Sequence, residues 1–274
     1  MNNFKISFIG GGNMAEAILS KALSGEIVAK ENVSVFDISK NRLNYLSAKY
    51  SISIYDTAVE AVENADIILF AVKPQHFAEA ASMCEGSLNG KAVVSIMAGI
   101  TLEQLKNTFH KSCRIARVMP NTPALVAEGM SMLCTENDLK DSETEFLKSL
   151  LETMGKYELL SEKYIDAFIG IAGSSPAYVY MFIEAMADAG VLNGLPREAA
   201  YRLASQSVLG AAKMVMETGM HPGTLKDMVC SPGGTTIEAV ESLENDGFRG
   251  TVINAVNACT EKSKYLSRKK DEEN

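Results

Sequence analysis

The sequence predicts an α/β chain in two parts, a parallel sheet flanked by helices followed by an all-α region. Three observations predict it. From residue 4 to about 160, short apolar runs alternate with helical patterns, as in a parallel sheet covered on both faces. After residue 162 the strand signals stop and long segments rich in Ala, Met and Leu take over. Those segments are separated by Gly/Pro breaks at Gly194-Leu-Pro196, His221-Pro-Gly223 and Ser231-Pro-Gly-Gly234. At 274 residues the chain has room for two domains, so the division is placed at 162/163.

The strand-like runs are Lys5–Ile9, Val33–Asp37, Ile52–Tyr55, Ile67–Val72, Ala92–Met97, Ile115–Val118 and Met130–Cys134. Helical patterns fall between them at 13–24, 39–49 and 74–84, and Thr101-Leu-Glu-Gln104 has the spacing of a capping box opening another. In the second part helices are expected over 163–193, 196–219 and 235–269, with Pro176 starting a new helix or kinking one. Their few charges and many small apolar residues, as in Ala185-Met-Ala-Asp-Ala-Gly190, suit helices that bury more than one face. Either a compact bundle core or a second copy of the chain would cover them, and dimerisation is expected.

Composition excludes several classes. Hydrophobic residues make up 47% and charged residues 22%, as in a soluble globular protein. The net charge is −8 and no Lys/Arg-rich segment precedes the tail Ser267-Arg-Lys-Lys-Asp-Glu-Glu-Asn274, which argues against a nucleic-acid surface. That tail reads as a solvated, frayed end. The five cysteines are scattered, with no CxxC or Cys/His cluster, so neither zinc nor any other metal nor a disulfide framework is expected. The first residues lack the segments of a signal peptide, and no apolar run is long enough to span a bilayer. A soluble, cytoplasmic protein is expected, with no membrane or nucleic-acid partner.

Gly10-Gly11-Gly12-Asn13-Met14-Ala15 is a G-x-G-x-x-A pattern between a strand-like run and an amphipathic helix. Gly10 permits the tight turn, Gly12 lets backbone approach a pyrophosphate, and Ala15 lets helix pack on strand. Helix N-terminal amides then meet the phosphates. In the first strand–helix unit of an α/β domain the pattern signals a Rossmann-like dinucleotide site; otherwise the glycines are only a flexible turn. Asp37, at the end of the second strand, can accept a hydrogen bond from the adenosine ribose, which favours NAD. Ser39, Lys40 and Arg42 follow and can receive a 2′-phosphate if Asp37 turns aside, so the coenzyme stays open. Ala71-Val72-Lys73-Pro74 and Ser95-Ile-Met97-Ala98-Gly99 end the fourth and fifth strands, at the edge where an open parallel sheet binds ligands. Arg117-Val-Met-Pro-Asn-Thr-Pro123 is a third edge loop, shaping a nicotinamide pocket or merely turning the chain.

Catalytic side chains are sparse. His76, His110 and His221 have no partner pattern, and none is assigned to catalysis. Ser231-Pro-Gly233-Gly234-Thr235-Thr236 instead forms a loop ending at a helix start, with capping-box spacing from Thr235 to Glu238. Unobstructed amides there can hold an anion, most economically a substrate carboxylate, and the two threonines add hydroxyls. The competing reading is a helix-stop and helix-start signal and nothing more.

Taken together, Phe8-Ile-Gly-Gly-Gly-Asn-Met-Ala15, Ala71-Val-Lys-Pro74, Arg117–Pro123, His221-Pro-Gly-Thr-Leu-Lys-Asp227 and above all Ser231-Pro-Gly-Gly-Thr-Thr-Ile-Glu-Ala resemble the pyrroline-5-carboxylate reductase family over nearly the whole length. The resemblance implies an NAD(P)-binding Rossmann-like domain over 1–162 and a helical dimerisation and substrate-binding domain over 163–274. It implies reduction of 1-pyrroline-5-carboxylate to L-proline by NADPH, with NADH possible, in a homodimer or a larger ring of dimers. Gly10, Gly11, Gly12, Asn13, Met14, Asp37, Ala71, Val72, Lys73, Met97 and Ala98 would contact the cofactor. Ser231, Gly233, Gly234, Thr235 and Thr236 would contact substrate, with Thr236 at the ring nitrogen as proton donor or positioner. Two departures stand out: Ser175 replaces the family's usual glycine before Pro176, and Asp37 replaces the small residue of many NADPH-preferring relatives. The alternatives are a related imine or hydroxy-acid reductase, for which Lys213 and Lys226 are the internal candidate acids, and a dinucleotide-binding sensor without turnover.

Overall fold

A computed structural model describes residues 4–109 and 113–272, with side chains through residue 267. His110 therefore lies outside the described residues, as do the last two residues of the tail. The chain forms two compact units, residues 1–174 with 259–274, and residues 175–258. Residues 259–274 thus belong to the first compact unit.

In the first unit the order is β1 (Ile6–Ile9), α1 (Asn13–Ser24), β2 (Val33–Phe36), α2 (Lys40–Tyr50), β3 (Ser53–Ile54), α3 (Ala58–Glu63), β4 (Ile67–Phe70), α4 (Phe77–Ser82), β5 (Ala92–Ser95), α5 (Leu102–Phe109), β6 (Arg114–Met119), β7 (Gly129–Cys134), α6 (Asp141–Thr153), β8 (Gly155–Leu160) and α7 (Ile165–Phe168). The eight strands make one sheet in the order β3-β2-β1-β4-β5-β6-β7-β8. Neighbours run parallel except β6 and β7. Strand alternation explains the two cores: Ile6, Phe8, Ile67 and Leu69 face one side, Ile9, Ile68 and Phe70 the other, and helices cover both. Burying such a side chain contributes about 1.5–3 kcal/mol. The expected capping box closes α5, where Thr101 N–H donates to Gln104 Oε1 (3.0 Å) and Gln104 N–H to Thr101 Oγ1 (3.1 Å).

The second unit holds α8 (Ser175–Leu192), α9 (Arg197–Thr218), α10 (Pro222–Val229), α11 (Thr235–Asn245) and the start of α12 (Phe248–Glu272). Pro176 sits in the first turn of a new helix rather than kinking a long one. The single helix expected over 235–269 is broken at Asp246-Gly247, where Gly247 takes φ +71° and α11 ends. The tail read as frayed continues α12 as helix through Glu272. Elements α3, α6, β8 and α10 fall outside the sequence assignments; β8 exposes alternate residues and carries no continuous apolar run.

Little of the second unit's apolar surface is covered. Among its described residues the buried hydrophobics are Ala187, Ala200 and Ala204, while Met181, Leu203, Leu209, Met216, Val252 and Ile253 stand exposed. Gly190 lets α8 approach α9, since a Cβ there would lie 3.2 Å from the Ala200 Cβ. Three alanines are no core for helices this long.

Candidate active site

The strand order reverses between β1 and β4, which both pair through their full lengths, and an open α/β sheet binds ligands at the carboxyl ends of strands flanking such a point. A cavity of about 250 Å³ opens there, lined by Gly10 and Gly12 after β1, Phe36 at the end of β2 with Asp37 and Ile38 after it, and Ala71, Val72 and Lys73 after β4. A larger cavity of about 480 Å³ is lined by residues of α4, α5 and the loops beside them, and the carboxyl ends of β1, β2 and β4 are not among them. Chemistry, not size, locates the site.

Gly10 takes φ +99°, and a Cβ there would sit 3.0 Å from the Ala71 carbonyl carbon and oxygen. Backbone conformation and backbone contact both demand glycine. A Cβ on Gly12 would meet nothing within 4 Å, so that position borders open space. Gly12 is the N-cap of α1, and no side chain caps the helix, whose first amides therefore have no intrahelical acceptor. Asn13 is exposed, Met14 half-buried, and Lys73 and Ala98 exposed at the sheet edge. These features fit the pyrophosphate and adenosine of a dinucleotide. Met97 differs from expectation: its side chain is buried in the core and its N–H donates to Ser95 Oγ (3.3 Å), leaving only its carbonyl to serve a ligand.

Asp37 does not simply face a ribose. Its Oδ2 accepts the Gly11 N–H (2.7 Å) and its Oδ1 the Ser39 N–H (2.8 Å), so it fixes the curl of the glycine loop and the entry to α2. Each oxygen keeps a second lone pair. Arg42 is held too: it donates to the carbonyls of Gly11 and Gly12 and to Glu16. Glu16 also accepts from Lys49 and Tyr50 (both 2.9 Å) and Tyr45 (3.2 Å). Burial alone would push the Glu16 carboxyl up; hydrogen bonds from Lys49, Arg42 and Tyr50 outweigh it and bring it down to about 2. This cluster escaped sequence reasoning because its members lie 26 to 34 residues apart. Ile38, 77% exposed at the cavity rim, carries a signal the sequence did show, a bulky apolar residue in a loop.

The third edge loop is tied down by Asn121, 7% exposed. Its Oδ1 accepts the Met130 N–H (2.9 Å) and its Nδ2 donates to the Ala172 carbonyl (2.9 Å). Ala172 lies in a π-helical turn, Ile169–Gly173, where Ser174 N–H reaches Ile169 O (2.8 Å). An α-helix would satisfy that carbonyl from residue 176, which is proline and has no N–H. Asn121 supplies the missing donor.

In the second unit, Ser231–Gly234 forms a turn closed by Gly234 N–H to Ser231 O (3.0 Å), with Pro232 and Gly233 at its centre. Gly233 takes φ +64°, the type II pattern. A Cβ on Gly234 would lie 2.3 Å from Ser231 Oγ. The expected capping box is corrected here: the N-cap is Gly234, Thr235 is the first helical residue, and no side chain caps α11. The turn holds Gly234 extended in the cap position, so the amides of Thr235 and Thr236 open onto the exposed side of the loop. Gly234's own N–H is spent on the turn. His221 caps α10, accepting the Gly223 N–H (3.0 Å). Lys213 and Lys226 are surface ion-pair partners of Glu217 and Asp227. Burial pushes the Cys84 and Cys134 thiols up to about 12, so neither is a nucleophile.

A glycine loop at the switch point of a parallel sheet, joined to helices that leave their apolar faces uncovered, defines a nicotinamide-dinucleotide-dependent oxidoreductase with a helical dimerisation domain. Comparison with known proteins narrows this. Residues 162–266 match the family model for pyrroline-5-carboxylate reductase dimerisation, and residues 5–99 match one described as NADP oxidoreductase coenzyme F420-dependent. Pyrroline-5-carboxylate reductase of Escherichia coli is 47% identical, covering 96% of this chain and 98% of its own length. The Methanosarcina acetivorans enzyme of the same name is 41% identical, over 98% and 100%. A Plasmodium falciparum pyrroline carboxylate reductase crystallised with NADP superposes with a TM-score of 0.89 at 34% identity, over 97% and 99%. The chain belongs to the pyrroline-5-carboxylate reductase family.

Proposed function

We propose that this chain reduces the C=N bond of 1-pyrroline-5-carboxylate to give L-proline, the last step of proline biosynthesis, with NADPH as electron donor and NADH as a second one. The observation that carries the reading is the uncapped start of α11 behind Ser231-Pro-Gly-Gly234. A helix N-terminus stripped of side-chain bulk suits a carboxylate, and this family's substrate is a small ring bearing one.

NAD(P)H, when bound, supplies the hydride that saturates the ring carbon of the C=N bond. The chain's own residues bind and orient. The pyrophosphate would lie against the bend Gly10-Gly11-Gly12 and meet the free amides of Asn13 and Met14 at the start of α1; Asp37, Ala71, Val72 and Lys73, which line the cavity, with Ala98 and the Met97 carbonyl, would take the rest of the dinucleotide. Thr235 and Thr236 N–H groups, with Gly233 beside them and Ser231 and Gly234 shaping the turn, take the substrate carboxylate. The Thr236 hydroxyl hydrogen-bonds the ring nitrogen, which takes up a proton, through that hydroxyl or from solvent, before the ring carbon takes hydride, so that one proton and one hydride saturate the C=N bond. A protonated cyclic imine is already electrophilic, so positioning supplies most of the acceleration. The protein works as a cytoplasmic homodimer, assembled further into a ring of dimers. Among the described residues no helix is long and apolar enough to cross a membrane.

The test is the initial rate of NADPH and NADH oxidation with 1-pyrroline-5-carboxylate, alongside chromatographic measurement of proline. Saturable oxidation with one proline formed per coenzyme supports the reading; no oxidation with either coenzyme removes it.

A further inference from the structure

We propose that Glu16 limits this chain's preference for NADPH over NADH, by holding the Arg42 guanidinium on the glycine loop and away from the 2′-phosphate of a phosphorylated dinucleotide. The inference rests on the dinucleotide reading of the β1–β4 crevice and deepens it.

The phosphate that distinguishes the two coenzymes sits on the ribose, beside the residue ending β2, and an arginine nearby is its usual partner. In this chain the residue following β2 is an aspartate, held in place by two backbone amides. Its charge opposes a 2′-phosphate, and a compensating cation is needed. Lys40 is 85% exposed and only loosely paired with Asp56 at 3.8 Å, which makes it a weak, solvated contributor. Arg42, in the first turn of α2, is the better placed guanidinium, with its side chain only 24% exposed.

That guanidinium is already engaged. It donates to two loop carbonyls and to the Glu16 carboxylate. Glu16 is in turn anchored by Lys49, Tyr45 and Tyr50, so it does not swing away when a ligand arrives. A carboxylate and a phosphate compete for the same planar fork of donors. Removing the negative charge while keeping the side chain's shape frees Arg42 to serve the phosphate.

The experiment is calorimetric binding of 2′,5′-ADP and 5′-ADP to the full-length chain, with no turnover involved. The ratio of the two dissociation constants on one protein sample cancels any loss of folded material. Glu16→Gln should shift that ratio about tenfold toward 2′,5′-ADP, roughly 1.4 kcal/mol. The shift should vanish in the Glu16→Gln/Arg42→Gln double variant, as expected for coupled neighbours. Arg42→Gln alone should change the ratio less than about twofold, because its charge is already neutralised. An unchanged ratio in Glu16→Gln overturns the inference, and so does a large loss of 2′,5′-ADP preference in Arg42→Gln alone. If the unaltered chain binds neither nucleotide, the dinucleotide reading itself fails, which is a different result from an unchanged ratio.

Discussion

Asn121→Ala tests how the loop after β6 is held. The side chain is 7% exposed and makes one bond as acceptor, from Met130 N–H, and one as donor, to Ala172 O, both at 2.9 Å. Truncation leaves both backbone groups without that partner. The Ala172 carbonyl has no helical substitute, because the residue four positions on is Pro176. Each abandoned group costs about 1–3 kcal/mol. Met130 and Ala172 are half-buried and recover some hydration, so the low end applies and the sum is about 2–4 kcal/mol. In a domain of this size that lowers the melting temperature by roughly 4–16 °C, measured by scanning calorimetry at one fixed protein concentration. Asn121→Asp separates the two bonds. It keeps an acceptor for Met130 but sets a carboxylate against the Ala172 carbonyl, and should be no more stable than the alanine variant. A melting temperature unchanged within about 1 °C for Asn121→Ala, or an aspartate variant as stable as the parent, would refute the reasoning.

Three further outcomes are expected. Gly10→Ala forces a Cβ onto the Ala71 carbonyl at φ +99°, so NADPH affinity should fall at least about tenfold, with a stability loss of about 1–3 kcal/mol; calorimetric titration and thermal melting read both, and unaltered binding would sink the loop assignment. Thr236→Ala should lower kcat/KM about tenfold or more while Thr236→Ser keeps most of it; steady-state kinetics with unchanged kcat and KM for the alanine variant would remove Thr236 from the site. The Glu16 carboxyl is depressed from an ordinary value of 4.5 to about 2, so its contribution is fully present above about pH 4.5 and is lost as pH falls toward 2. It amounts to no more than about 3 kcal/mol. The stability gap between the parent chain and Glu16→Gln should therefore narrow across that window in acid titrations of urea unfolding, and a constant gap would contradict the pairing.

What could be read from the sequence was local. The G-x-G-x-x-A loop, the Thr101–Gln104 cap and the turn at Pro232-Gly233 each lie within a few residues, where sterics alone dictate the backbone. Asp37 was recognisable as the residue ending β2, but not its grip on Gly11, which depends on how the loop curls over the strand end. Neither the Glu16 cluster nor the Asn121–Ala172 bond has a linear signature, since partners 26 and 51 residues apart meet only once the sheet and its helices are packed. The Thr235 cap was misread for a physical reason: Thr-x-x-Glu spacing suits a capping box, yet the preceding turn delivers Gly234 to the cap position one residue earlier. Helices α11 and α12 likewise read as one in the sequence, because the helical pattern on both sides outweighs Asn-Asp-Gly, a break signal, which the fold obeys.

The most direct test of the whole account is a crystal structure of the chain with L-proline. The proline carboxylate should lie within about 3 Å of the amides of Thr235 and Thr236, its ring nitrogen beside the Thr236 hydroxyl. Proline bound in another cavity, with the start of α11 empty, would contradict it.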